Sequence, residues 1–435
     1  MPPPEKKVLT LSPAFKYTLD TLEKTKASAF ITGRAGTGKS TLLKLFVRTT
    51  KKRVAVVAPT GIAALNVGGQ TIHSFFKFPP KLMMPSDIRK LRSRRLYKNL
   101  DLIIIDEISM VRADMLDNID RFLRINREQP GKPFGGVQMV FFGDLFQLPP
   151  VVVAEEEKRY LEEKYDSPYF FSSDVVQQEM ELDYIELHKV YRQEQRHFLR
   201  LLEAVRTNRA DRDDLEDLNE RYLPDFEAED YYITLTTINR IADNTNNRRL
   251  RDLDTREYSY LGKVTGKFDA RTYPAPLELR LRVGAQVMFV RNDPEKAYVN
   301  GTIGKVVILK DDEIQVAIRR PDGTDLLVDV QPTEWEIKKY KPGTGLNKEK
   351  IETEVIGSYK QYPLRLAWAI TIHKSQGKTF ERVILDMGRG AFEHGQTYVA
   401  LSRCTTLEGL VLKQPIRPRD ILLDDTVVEF YEQHF

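Results

Sequence analysis

Residues Gly33-Arg34-Ala35-Gly36-Thr37-Gly38-Lys39-Ser40 fit the pattern G-x-x-x-x-G-K-S. Glycines at these positions let the backbone curl until several N–H groups and the start of the next helix face one centre, a geometry that suits phosphate. Lys39 is then placed to bridge the outer phosphates of a nucleoside triphosphate, and the Ser40 hydroxyl to ligate Mg²⁺. The context agrees, because residues 29–32 form a short apolar run typical of a strand and residues 41–47 read as a helix. The expected cofactors are ATP and Mg²⁺, with Gly33, Ala35, Gly36, Thr37, Gly38, Lys39, Ser40 and Thr41 around the phosphates.

Two further segments extend this chemistry. Asp106-Glu107 follows the run Leu-Ile-Ile-Ile, which puts two carboxylates at the end of a buried strand. Asp106 suits a second metal ligand, and Glu107 a base that polarises the attacking water. Gly143-Asp144-Leu145-Phe146-Gln147-Leu148-Pro149-Pro150 ends another apolar run, and Gln147 there is placed to sense the γ-phosphate. Either segment alone equally describes a solvated strand end or a loop stiffened by prolines; downstream of a P-loop, the catalytic reading is preferred. A P-loop on its own hydrolyses slowly, and an arginine brought across a cleft adds about 10³–10⁵ in rate. Arg192 in Val-Tyr-Arg-Gln and Arg403 at the end of Gln-Thr-Tyr-Val-Ala-Leu-Ser-Arg are the candidates. By residue type alone, both also suit surface ion pairs.

Positioning these groups requires a parallel sheet. In the first half, apolar strands at residues 29–32, 54–58, 102–106 and 137–142 alternate with amphipathic helices. One helix is marked by Met115, Leu116, Ile119, Phe122 and Leu123 on a single face. The alternation resumes near Tyr231 with a strand and a polar helix through Leu250, then breaks off. Residues 279–330 read as short β runs separated by the turn signals Lys310-Asp311-Asp312-Glu313 and Pro321-Asp322-Gly323, as in a small antiparallel barrel. A Gly/Pro/Lys stretch covers residues 338–347. The α/β pattern returns with strands at 364–371 and 383–387 and a final helix and strand.

Composition bounds the class. The chain has 435 residues, which favours two or three domains. A single cysteine, Cys404, excludes an internal disulfide framework and points to a reducing compartment. No apolar run approaches the roughly 18 residues of a membrane span, and residues 1–7 resemble neither a signal peptide nor a transit helix. A cytoplasmic protein is expected, with no membrane partner. Net charge is only +4, so any nucleic-acid track must be local; beyond a short basic run from Arg89 to Lys98 there is no low-complexity tract and no internal repeat.

Together, Ala58-Pro-Thr-Gly-Ile-Ala-Ala-Leu65, Gln70-Thr-Ile-His-Ser-Phe-Phe76, Asp106-Glu107-Ile-Ser-Met110 and the loop at 143–150 resemble the petite-integration-frequency (Pif) family of DNA helicases. That family belongs to superfamily 1, beside the RecD-type enzymes. The likeness continues through Val190–Gln193, residues 367–379 and residues 396–403, and so spans nearly the whole chain. It implies an α/β fold of two RecA-like P-loop domains, at 1–185 and 186–435, with an SH3-like β-barrel inserted at 275–362. It assigns Arg192 and Arg403 to the γ-phosphate, reached when the two domains close, and puts Gly377 at the nucleotide cleft. It also implies that Pro59, Thr60, Gly61 and His73 on the first domain, and Thr236, Thr237, Asn239, His373, Lys374 and Ser375 on the second, hold single-stranded DNA. Polar residues at such strand ends otherwise serve as helix caps.

The resemblance further implies 5′→3′ travel on single-stranded DNA, action at single-strand/duplex junctions, and a monomer. One departure concerns the base. Many helicases of this group carry a glutamine upstream of the P-loop that reads adenine, but no Gln precedes Gln70. Adenine recognition is then either weaker or supplied by stacking, and other triphosphates are less strictly excluded. The remaining readings are a P-loop small-molecule kinase, which would leave the second α/β half without a task, an ATP-gated DNA clamp, against which Glu107 speaks, and a RecD-like subunit of a larger complex.

Overall fold

The computed structural model describes residues 11–152, 154–193, 195–320, 322–343 and 350–435. Residues 1–7, Pro321 of the second turn signal and residues 344–347 of the Gly/Pro/Lys stretch lie outside the described residues.

In the first half, β1 (Ser28–Gly33), β2 (Val54–Ala58), β3 (Gln70–Thr71), β4 (Leu102–Ile105), β5 (Gln138–Phe142) and β6 (Leu182–Leu187) form one sheet in the order β3-β2-β4-β5-β1-β6. Every ladder in it is parallel. Side chains alternate between its faces. Phe30, Ile103, Ile105 and Phe141 enter one apolar cluster, while Ala29, Ile31, Ile104, Val140 and Phe142 enter another. A sheet buried on both faces explains why its strands read as unbroken apolar runs. The Ala113–Arg127 helix buries Leu116, Ile119, Phe122 and Leu123 against the first cluster, the face marked by its sequence spacing.

Beyond β7 (Ile233–Thr236) and the Asn239–Arg251 helix, the chain leaves the α/β layers. It forms β8 (Glu257–Leu261), β9 (Lys263–Gly266), β10 (Glu278–Arg282), β11 (Gln286–Phe289), β12 (Ile303–Leu309), β13 (Ile314–Arg319), β14 (Asp325–Val330), β15 (Thr333–Pro342), β16 (Ile351–Gln361) and β17 (Leu364–Leu366). These pair antiparallel in three sheets, ordered β14-β13-β12-β11-β17, β10-β8 and β15-β16-β9. An all-β insert is therefore present, and it is wider than the 279–330 run suggested. Among the described residues no ladder joins β14 to β17 to close the large sheet.

Part of the Gly/Pro/Lys stretch at 338–347 is strand. Lys338 to Pro342 pair with Val355 to Ile351 in a long hairpin whose lysines face outward while Trp335 is buried. Residues 364–371 are likewise two strands in different sheets, because the chain leaves the insert at β17 and re-enters the α/β layer at β18 (Ala369–Thr371).

The second parallel sheet adds β19 (Val383–Asp386) and β20 (Leu410–Leu412) in the order β18-β7-β19-β20. The final helix, Asp425–His434, then crosses back to the first sheet. Phe430 stacks on Phe171 at 4.2 Å, and the Tyr431 hydroxyl donates to Glu186 of β6. No helix among the described residues is long and apolar enough to cross a membrane.

Candidate functional site

Because β1, β4 and β5 are parallel neighbours, the loops that leave them emerge at one edge of the sheet. These are the P-loop, Asp106-Glu107 and the Gly143–Pro150 segment. They line a cleft of about 540 Å³ with Ala35, Gly36, Thr37, Gly38, Lys39, Ser40, Thr41, Asp106, Glu107 and Gln147 on one side. Arg192, Gly377 and Arg403 line it from the other side. Of the residues expected around the nucleotide, Gly33 alone stands behind the wall, where its carbonyl accepts a hydrogen bond from Lys39 Nζ.

Gly36 and Gly38 both have left-handed backbones, with φ of 84° and 87°. A Cβ on Gly36 would lie 2.6 Å from Cβ of Arg192, so glycine is required here by conformation and by the opposing wall alike. Lys39 also donates to the Arg34 carbonyl at 3.1 Å, and burial lowers its pKa. The Thr37 hydroxyl is used within the loop, donating to the Arg34 carbonyl at 2.9 Å. Ser40 and Thr41 are exposed.

Asp106 is fixed by its backbone N–H, which donates to the Val57 carbonyl at 2.9 Å. Glu107 adopts φ 53° and ψ 45°, a left-handed conformation that costs a non-glycine residue about 1 kcal/mol or more. Such strain at the cleft is the mark of a side chain held in place for function. Burial, and then the charge of Glu107, raise the Asp106 carboxyl above the usual carboxylate range; burial raises Glu107 as well. Two adjacent carboxylates that are costly to ionise fit a divalent cation, whose charge removes that cost. Asp106 and Ser40 are the residues that would hold Mg²⁺. Gln147 donates from Nε2 to Asp144 Oδ2 at 3.0 Å, and Gln376 reaches across from the second half to Glu107 Oε2 at 3.3 Å.

The two arginines are not surface salt bridges. Arg403 is 1% exposed and donates to the Val399 carbonyl at 2.8 Å, the Lys378 carbonyl at 3.3 Å and the Ser402 hydroxyl at 2.7 Å. Arg192 donates to the Ser402 carbonyl at 3.3 Å. Burial and then Arg192 push the Arg403 pKa down to about 9. Two neighbouring guanidiniums whose bonded partners are carbonyls and a hydroxyl make a site for an anion.

The candidate nucleic-acid residues fall into two groups. On the first half, the Thr60 hydroxyl caps its helix by accepting from the Ala63 N–H at 3.2 Å, with Pro59 and Gly61 on either side. A Cβ on Gly61 would lie 2.3 Å from Cγ2 of Thr272, so the insert closes over this point. His73 is half-buried, and its pKa is lowered by burial and then by Arg112. On the second half, Thr236 is buried at the end of β7, Thr237 is half-buried and Asn239 is exposed. His373 pairs with Glu393 at 3.0 Å, and Lys374 is exposed. Ser375 is fully buried, and its hydroxyl proton is already donated to the Ile372 carbonyl at 2.6 Å, unlike the exposed Lys374 beside it.

Comparison with known proteins gives this arrangement its family. A PIF1-like helicase model matches residues 13–215, and a model of the Pif1 2B domain matches residues 271–309, within the all-β insert. The ATP-dependent DNA helicase Pif1 of Bdellovibrio bacteriovorus is 32% identical over 439 residues, covering 98% of this chain and 92% of the relative. This chain belongs to the PIF1-like helicase family. Its two parallel sheets are accordingly the cores of two RecA-like layers.

The PIF1-like chain has a TM-score of 0.88 to Bacteroides Pif1 in complex with ADP-AlF4, at 37% identity, covering 98% of this chain and 97% of that one. Against Bacteroides Pif1 bound to ssDNA the TM-score is 0.68, at 37% identity, covering 97% and 96%. The chain spans 62% of the length of the Emericella nidulans helicase PIF1, to which it is 30% identical over 96% of itself.

Sequence reading missed several members of this PIF1-like site. Phe15 and Tyr191 line the cleft beside Gly38, with ring centroids 6.4 Å apart. Gln193 ties the two walls by donating to the Ser402 and Cys404 carbonyls, each at 3.1 Å. Asp144 and Tyr398 lie inside quoted motifs, but nothing in their spacing marked them. Arg206 carries no local signal at all.

Proposed function

We propose that this chain is an ATP-dependent DNA helicase that moves along single-stranded DNA, in the 5′→3′ direction, and opens duplex or structured DNA. The observation that carries this reading is the single cleft in which Lys39, Asp106, Glu107 and Gln147 face Arg192 and Arg403. The PIF1-like helicase family and the Bdellovibrio ATP-dependent DNA helicase Pif1 support the substrate, and the Bacteroides Pif1 structures in complex with ADP-AlF4 and bound to ssDNA support nucleotide and DNA as ligands. The proposed units are residues 1–185, residues 186–435 and an SH3-like insert at 275–362. A cytoplasmic monomer acting at single-strand/duplex junctions completes the reading.

In this mechanism the P-loop N–H groups and Lys39 hold the β- and γ-phosphates, while Ser40 and Asp106 hold Mg²⁺. A bound Mg²⁺ neutralises charge on the phosphates and fixes their orientation. Glu107 accepts the proton of the attacking water, and Arg192 and Arg403 stabilise charge on the transferred phosphoryl oxygens. Each arginine is anchored on Ser402, so drawing them toward phosphate pulls the second layer onto the first. His373 and Lys374 stand only a few residues from Lys378, whose carbonyl accepts from Arg403. Closure of the cleft is thereby transmitted to the DNA-gripping loop.

The test is steady-state ATP hydrolysis with and without single-stranded DNA, followed by strand displacement on duplexes with 5′ or 3′ tails. Stimulation by DNA and unwinding from the 5′ tail are expected. Hydrolysis indifferent to DNA would overturn the reading in favour of a small-molecule acceptor.

A further inference from the structure

The least explained charge in the molecule is a buried one. Arg206, the last residue of the Arg196–Arg206 helix, and Asp144 both have side chains at 0% exposure, with Nη2 and Oδ1 3.3 Å apart. The guanidinium carbon lies 4.1 Å from the Phe146 ring centroid and 5.3 Å from that of Tyr431, so it sits between the motif loop and the final helix. Arg206 Nη1 also lies 3.4 Å from Glu203, whose other oxygen is 2.9 Å from Nε of Arg34 in the P-loop.

Buried ion pairs are poor stabilisers, because removing both charges from water costs about as much as their attraction returns. Here the geometry is also incomplete for stability, since Arg206 Nε has no hydrogen-bond partner among the described residues. Such a pair is better understood through what it holds in place. Asp144 accepts from the Phe146 N–H through Oδ1 at 3.3 Å and from Gln147 Nε2 through Oδ2 at 3.0 Å. That second bond decides which way the Gln147 amide points, because the flipped amide would set its oxygen against the carboxylate. One N–H and the carbonyl oxygen of Gln147 are then left for the cleft. Burial disfavours the Asp144 charge, yet Arg206 and Lys39 hold its carboxyl below the usual range, so the acceptor stays ionised.

We propose that Arg206 is a positioning residue for ATP hydrolysis: through Asp144 it fixes the orientation of Gln147 toward the γ-phosphate, and through Tyr431 and Glu203 it ties that orientation to the final helix and the P-loop. The inference rests on the ATPase reading above. Loss of the γ-phosphate changes the partner of Gln147, and the Asp144–Arg206 pair carries that change to the helix that begins just after Arg192.

The experiment is a double-mutant cycle on ssDNA-stimulated hydrolysis, with Arg206→Met, Gln147→Ala and the double variant, alongside ADP affinity and thermal melting. Arg206→Met is expected to lower kcat at least about tenfold with ADP affinity within about twofold. The double variant is expected to be no slower than the slower single one, because both remove the same positioned amide. Arg206→Lys, which keeps the charge, is expected to recover part of the rate. If Arg206→Met does not fold, Asp144→Asn and Arg206→Lys take its place in the cycle, with the same expectation of a shared loss. Multiplying losses, or a folded Arg206→Met variant with unchanged kcat, would overturn the proposal. Failure of the ATPase reading would show differently, as no DNA-stimulated hydrolysis in the unsubstituted chain.

Discussion

The hydroxyl of Tyr398 accepts a hydrogen bond from the backbone N–H of Ala35 at 2.9 Å, joining the P-loop to the helix that leads into Arg403. The pair is buried and separated by 363 positions in sequence. It makes the phosphate cradle a shared product of both α/β layers. Replacing Tyr398 by Phe leaves a buried N–H without its partner, which costs about 1–3 kcal/mol. The expected result is a fall of about tenfold in kcat/KM for ATP. It is measured by initial rates across ATP concentrations at saturating single-stranded DNA; an unchanged kcat/KM would show that closure does not use this bond.

Lys39 and Glu107 should separate binding from chemistry. Lys39→Ala removes the cation that meets the phosphates and is expected to weaken nucleotide binding as well as abolish turnover. Glu107→Gln keeps the shape of the site and loses the base, so turnover should fall by roughly 10²–10⁴ while nucleotide still binds. Fluorescent-nucleotide titration beside steady-state hydrolysis distinguishes the two.

Phe15 and Tyr191 line the cleft where an upstream glutamine is absent. An aromatic face attracts any base, whereas an amide edge selects one. Phe15→Ala is expected to raise KM for ATP and GTP by similar factors, about tenfold, as loss of one stacking partner would do. Parallel kinetics with the two nucleotides test this; a selective loss for ATP would show that Phe15 discriminates the base.

Lys378 supplies a pH dependence. Burial, then the charges of Arg365 and Arg403, lower its pKa from lysine's ordinary 10.5 to about 8. Between these values the folded chain holds fewer protons than the unfolded one. This group therefore adds stability as pH rises from about 8 toward 10.5, and that contribution is lost as pH falls through about 8. The full effect is at most roughly 3 kcal/mol. Urea midpoints at pH 7 and pH 9.5 should differ less in Lys378→Met than in the parent chain.

Tyr340 of the long hairpin accepts from the Val56 N–H at 3.0 Å, and Gln70 donates to the Lys338 carbonyl at 2.7 Å, seating the insert on the first sheet. An insert that had to leave this seat for DNA to enter would make the seat compete with DNA. Tyr340→Phe should then raise affinity for single-stranded DNA several-fold by weakening the seated form. Fluorescence anisotropy with a labelled oligonucleotide measures it; weaker binding would mean that the seat supports the DNA path.

The amino-acid sequence by itself determined the engine and the class of the fold. The P-loop, Asp106-Glu107 and Gln147 are each read from a contiguous string that follows a buried strand, and parallel strands deliver such strings to one edge without further information. The apolar runs of β1, β2, β4 and β5 were legible for the same reason, since burial on both faces leaves only hydrophobic residues. Tertiary structure alone decided what meets across the cleft. Arginines at 192 and 403 look like any others until folding brings both to the cleft, where they bond to backbone carbonyls and Arg403 is buried. That Ser375 is buried, its hydroxyl proton taken by one short turn, was not legible either. Arg206 could not be found at all, because a buried charge is specified by the partner that folding brings to it, here Asp144, 62 residues away.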